Sequence, residues 1–119
     1  MKVVLDTNFL MAVAQFNIDV FKELKGHDLR TLNGVIRELK KHGEGTGKRA
    51  QAAKFALKLV KSKGLKVLYS KEKDTDEAIV GYAEKGYAVA TQDRLLRSKS
   101  KKAGATVIYI RQKRYLVVE

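Results

Sequence analysis

The 119-residue chain contains no cysteine and no proline. Without thiols there is no disulfide scaffold, no thiolate-bound zinc and no cysteine nucleophile, and this composition fits a reducing cytoplasm. Long hydrophobic runs are missing as well. Val3-Val4-Leu5 is far too short for a secretory core, and no later run approaches the ~20 residues of a membrane span. A soluble, unprocessed, cytoplasmic protein with no membrane partner is therefore expected. No linker rich in proline, glycine or serine divides the chain, and no repeat recurs at a period of roughly 20–50 residues. Residues 1–119 thus read as one domain with one core and room for one active site.

Acidic residues are scarce. Thirteen Asp+Glu face 25 Lys+Arg, leaving a net charge of +12. Such a surface attracts polyanions, nucleic acid above all, although a solvated or heat-adapted lysine-rich surface has the same balance. With 45% hydrophobic residues the chain is globular and should fold alone.

Short apolar segments alternate with segments of helical period. Val3–Leu5, Leu65–Tyr69, Tyr87–Thr91 and Thr106–Ile110 read as strands. Helices are expected over about Asn17–Lys25 with Asn17 as cap, over about Gly34–Lys41, and over about Lys48–Lys63. In the last, Ala53, Ala56, Leu57 and Val60 form one apolar stripe and Lys54, Lys58 and Lys61 the wet face. A further helix should begin near Asp74 or Asp76, turn Ile79, Val80 and Ala83 inward and stop at Gly86, and another should follow Asp93 with Leu95 and Leu96 buried. Strands separated by helices need right-handed crossovers, so the expected fold is α/β, a three-layer α/β/α sandwich around a mostly parallel sheet. Sites in such sheets lie beyond the carboxyl ends of the strands. Asp6 directly follows the first strand, and Asp93 follows Tyr87–Thr91 by two residues.

Each acid taken singly has an ordinary structural explanation. Asp6 and Asp93 suit helix caps, Glu38 in Val35-Ile36-Arg37-Glu38-Leu39 suits a solvated helix face, and Asp76 in Lys73-Asp74-Thr75-Asp76-Glu77 suits a first helical turn. Gathered at one sheet edge they would repel, and hard divalent cations bound through oxygen, Mg²⁺ or Mn²⁺, would relieve that repulsion. Asp74 competes with Asp76 for the third place. His27 and His42 lie in polar, turn-like settings without evident partners and are expected at the surface. The segment His42-Gly43-Glu44-Gly45-Thr46-Gly47-Lys48-Arg49 imitates a phosphate loop but lacks its first glycine and its Ser/Thr and follows no strand. It reads as a flexible loop.

Leu5-Asp6-Thr7-Asn8, Val35-Ile36-Arg37-Glu38-Leu39, Asp76-Glu77-Ala78-Ile79 and Ala90-Thr91-Gln92-Asp93-Arg94, in this order and at these spacings, resemble the PIN domain family of ribonucleases along essentially the whole chain. The resemblance implies that Asp6, Glu38, Asp76 and Asp93 are a metal-holding catalytic quartet supported by the polar groups of Thr7, Asn8 and Thr91. It also implies RNA hydrolysis with one or two Mg²⁺ or Mn²⁺ ions and the homodimer common in that family. Asp6-Thr7-Asn8-Phe9, Tyr87–Arg94 and Val107–Tyr115 resemble the branch that processes small-subunit ribosomal RNA precursors. Two alternatives stand beside it: a VapC-like toxin ribonuclease restrained by an antitoxin, and a basic RNA-binding or ribosome-assembly module without turnover. The expected RNA track comprises Arg94, Arg97, Lys99, Lys101 and Lys102 after Asp93, with Arg111, Lys113 and Arg114 near the C-terminus.

Overall fold

A computed structural model describes all 119 residues. Strand β1 (Lys2–Leu5) runs into helix α1 (Thr7–Phe16), and a single turn, α2 (Val20–Glu23), leads to β2 (Asp28–Leu32). The hairpin of α3 (Asn33–Gly43) and α4 (Lys48–Ser62) crosses to β3 (Lys66–Leu68). Then follow α5 (Thr75–Glu84), β4 (Ala88–Ala90), α6 (Arg94–Lys102), β5 (Val107–Arg111) and β6 (Tyr115–Val118).

The six strands form one sheet in the order β3-β2-β1-β4-β5-β6, parallel except for β6, with helices on both faces. Its central strands are apolar on both sides, as a doubly covered sheet requires: Val3, Val4, Leu5, Val89 and Ala90 have no exposed surface. Small residues on α4, Ala50, Ala53 and Ala56, let it pack closely against α1 and α3. The α/β/α expectation holds. No helix is long and apolar enough to cross a membrane.

The chain builds outward from β1 to β3, returns to β4 on the other side of β1, and builds outward again. The order therefore reverses between β1 and β4, where neighbouring crossovers diverge and leave a crevice beyond the strand ends. Leu5 pairs with Ala90 across this boundary, so the residues that follow them, Asp6 and Thr91, emerge side by side.

Several local expectations are corrected. The helix expected over Asn17–Lys25 is one turn, capped by Asp19, whose carboxylate accepts from the Lys22 amide. Asn17 instead ends α1, in the left-handed conformation at φ 54° that asparagine tolerates. Strands β2 and β6 form where none was expected. Leu95 is 65% exposed, and only Leu96 of the pair is buried.

Candidate active site

Asp6 sits at the carboxyl end of β1 as the cap of α1, its Oδ1 accepting from the Thr7 amide at 2.8 Å. Its backbone amide extends the β1–β4 pairing by donating to the Ala90 carbonyl at 2.9 Å. From the end of β4, the Thr91 hydroxyl donates to Asp6 Oδ2 at 2.8 Å and receives the Asp93 amide at 3.1 Å. One hydroxyl thereby ties together two acids that stand 87 residues apart in the chain.

Asn8 Oδ1 accepts from the Gln92 amide at 3.0 Å and lies 3.2 Å from the Thr91 hydroxyl. The carboxamide of Gln92 pairs twice with the Ile110 backbone, at 3.0 and 2.7 Å, continuing the β4–β5 ladder with a side chain. On α3, Glu38 Oε1 accepts from the Thr7 hydroxyl at 2.9 Å. Asp93 caps α6 through its Oδ1, which accepts from the Leu96 amide.

Asp74 caps α5, its Oδ1 accepting from the amides of Asp76 and Glu77. That use leaves Asp76, the second residue of the helix, to line a cavity with the other acids. Asp6, Glu38, Asp76 and Asp93 line one cavity of about 210 Å³ together with Thr7, Asn8, Met11, His42 and Arg49. Met11 is the only apolar member of this lining.

Three of the four acids are linked by the network of Thr7 and Thr91, and two of them serve as helix caps. A cap uses one lone pair of one oxygen, so capping and an inward-facing carboxylate coexist. Burial, opposed by the hydrogen bonds from Thr91 and Thr7 and reinforced by the charges of Asp76 and Glu38, raises the Asp6 carboxyl to about 6. Burial also raises Asp76, with further contributions from Asp93, Asp74 and Glu38. The pocket therefore carries negative charge that its own hydrogen bonds do not neutralise. No three of these acids or imidazoles converge into a closed metal shell. An all-oxygen, partly buried cluster of this kind fits a hard cation that keeps several of its waters and takes one or two carboxylates directly.

The family description PIN like domain matches residues 3–113. The chain belongs to the PIN domain family. Among curated relatives, this PIN domain is 34% identical to Ribonuclease VapC9 of Archaeoglobus fulgidus, over 98% of this chain and 87% of that protein. It is 31% identical to Ribonuclease VapC4 of Methanocaldococcus jannaschii, over 98% and 95%. Among solved structures it superposes on the PIN domain endonuclease Utp24 with a TM-score of 0.81 and 26% identity, covering 99% of this chain and 90% of that one.

Of the basic residues expected along an RNA track, three make contacts within this PIN domain. Arg97 stacks over the Tyr109 ring at 4.0 Å and donates to the Thr91 carbonyl, Lys101 pairs with Glu119 at 3.2 Å, and Lys113 lies over the Phe16 ring. Lys99 borders the groove that Asp76 shares with Glu72, Glu77 and Glu84. Arg94, Lys102, Arg111 and Arg114 are exposed. Sequence reading missed His42 and Arg49 at the carboxylate cavity. His42, expected at the surface, is half-buried at the cavity, and His27 bonds the N-terminal amine. Their separation by seven residues across the α3–α4 turn carried no periodic signal linking them to Asp6.

Proposed function

We propose that this PIN domain is a metal-dependent endoribonuclease in which Asp6, Glu38, Asp76 and Asp93 hold one or two Mg²⁺ or Mn²⁺ ions. The observation that supports it is the convergence of these four carboxylates in one polar cavity at the β1/β4 reversal. Bound there, a divalent ion would polarise the scissile phosphate, lower the pKa of attacking water and offset charge on the departing oxygen. The chain's own groups supply the positioning. Thr91 fixes Asp6 Oδ2 and the Asp93 amide, Thr7 fixes Glu38, and Asn8 holds the backbone at Gln92. No hydroxyl or thiol is needed as nucleophile, so water attacks and the products separate as two RNA ends.

Maturation of small-subunit ribosomal RNA is the preferred role, supported by the Tyr87–Arg94 and Val107–Tyr115 stretches and by the structural match to Utp24. The identity to two VapC ribonucleases favours a second reading, a toxin neutralised by an antitoxin partner. Cleavage of structured and single-stranded RNA in Mn²⁺, Mg²⁺ or EDTA by wild type, Asp6→Asn and Asp93→Asn tests the chemistry. Metal-dependent cleavage by the wild type alone supports it; equal cleavage by the variants removes the site. Wild-type protein that binds RNA without ever cleaving it would be an assembly module. Accumulation of unprocessed small-subunit RNA on depletion supports the maturation role, whereas growth arrest relieved by a neighbouring gene product supports the toxin.

A further inference from the structure

A polyanionic substrate must approach a cavity that holds four carboxylates, so cations at its mouth have to receive the phosphates. Arg49 is the arginine lining that cavity, and it stays solvent-exposed. It makes no ion pair with any of the four acids: the molecule's salt bridges are Arg30–Asp28 and Lys101–Glu119. Arg49 is therefore not a structural counter-ion to the cluster it borders.

Its place in the fold is locally unfavourable. Lys48 and Arg49 open α4, whose first turn contains no acid and whose cap, Gly47, provides no side-chain hydrogen bond. The partial positive charge of a helix N-terminus disfavours cations. Residues that violate a local preference without structural return are characteristic of binding surfaces. An incoming phosphate would satisfy both the guanidinium, whose donor fork matches two phosphate oxygens, and the free amides of the first turn.

We propose that Arg49 is the phosphate-binding residue on the α3–α4 side of the active site, so that RNA enters across the α3–α4 hairpin. The neighbouring groove that shares Asp76 with the cavity holds Lys99 among Glu72, Glu77 and Glu84, so it offers phosphate no comparable cation. This inference rests on the nuclease reading above.

The test is steady-state cleavage in Mn²⁺ of the RNA that the wild type cleaves fastest, using wild type, Arg49→Ala, Arg49→Lys and Lys61→Ala. Lys61 is exposed on the same helix twelve residues on, about 18 Å away, and its loss removes the same charge. Arg49→Ala should raise KM about tenfold with kcat within about twofold, as expected for one lost charge-assisted contact. It should also flatten the dependence of log KM on log salt by about 0.7. Arg49→Lys should recover most of the affinity, and Lys61→Ala should match the wild type. Equal KM for Arg49→Ala and Lys61→Ala overturns the assignment of Arg49 and leaves the nuclease reading standing. So does a fall in the melting temperature of Arg49→Ala, which would mark a structural role. Absence of cleavage by the wild type overturns both.

Discussion

At the scale of single residues, the site depends on two threonines that make short contacts to its acids. Thr91 is fully buried, and its hydroxyl is shared between Asp6 and the Asp93 amide. Replacement by valine keeps the shape and leaves that amide and Asp6 Oδ2 without their partner. Thr91→Val should cost about 1–3 kcal/mol of stability and lower cleavage about 10–100-fold, whereas Thr91→Ser should retain most of both. Urea melts and cleavage rates on the three proteins check this. Asp6 shows a related conflict. Its folded carboxyl is raised to about 6 against an ordinary value of 3.8, so between those limits the native state holds the extra proton. Stability contributed by this group is therefore full below pH ~4 and lost as pH rises through ~6, by about 3 kcal/mol in metal-free protein. Asp6→Asn keeps an acceptor for the Thr7 amide and removes the buried charge. In EDTA at pH 7 it should melt several degrees above the wild type while cleaving nothing, and Mn²⁺ should raise the melting temperature of the wild type but not that of the variant. A variant less stable than the wild type in EDTA would contradict a repulsive pocket.

Among the elements, the close approach of α3 to α5 sets the distance between Glu38 and Asp76. Gly34, in the first turn of α3, faces Thr75, the first residue of α5, and a β-carbon there would come within 2.7 Å of Thr75 Oγ1. Gly34→Ala must displace the Thr75 hydroxyl, either by rotating that side chain or by moving the two helix starts apart and carrying Asp76 with them. A loss of about 1–3 kcal/mol in a denaturant melt is expected, with a larger proportional loss of cleavage. Unchanged activity would show that the spacing of these helices does not position the acids. The elements also mark where sequence was informative. β1, β4 and β5 are apolar runs, α3 and α4 announce themselves by period, and α5 and α6 by their capping acids. β2 escaped because Asp28-Leu29-Arg30-Thr31-Leu32 mixes charge with apolar residues and holds its place through pairing to β1 and β3. β6 escaped because its basic approach, Arg111–Arg114, draws the eye to charge, although Tyr115–Val118 simply continues the sheet beside β5. Leu95 immediately precedes the buried Leu96 but points away, since one residue of helix turns it out of the core. Asp6 and Asp93 stood out by their placement after strands and Asp76 by its place in a first turn, whereas Glu38, in the middle of α3, entered only through the family resemblance. The choice between Asp74 and Asp76, by contrast, required the hydrogen bonds that commit Asp74 to the cap.

For the whole molecule, an excess of twelve positive charges surrounds one anionic cavity. On the proposed reading, long-range attraction brings RNA to the surface, and a cation in the cavity would be needed before phosphate could settle over it. Binding of RNA to the non-cleaving Asp93→Asn protein should thus weaken steeply with salt, log affinity falling linearly with log salt at about 0.7 for each phosphate engaged. A salt-independent affinity would show that charge does not drive the encounter. The proposed chemistry itself is tested most directly by locating the metal. Crystals of the wild-type protein soaked in Mn²⁺ and measured for anomalous scattering should show one or two peaks within coordinating distance of carboxylate oxygens from Asp6, Glu38, Asp76 and Asp93. A cavity without such a peak at saturating Mn²⁺, or Mn²⁺ bound only at other acids such as Glu72 and Glu84, would contradict it.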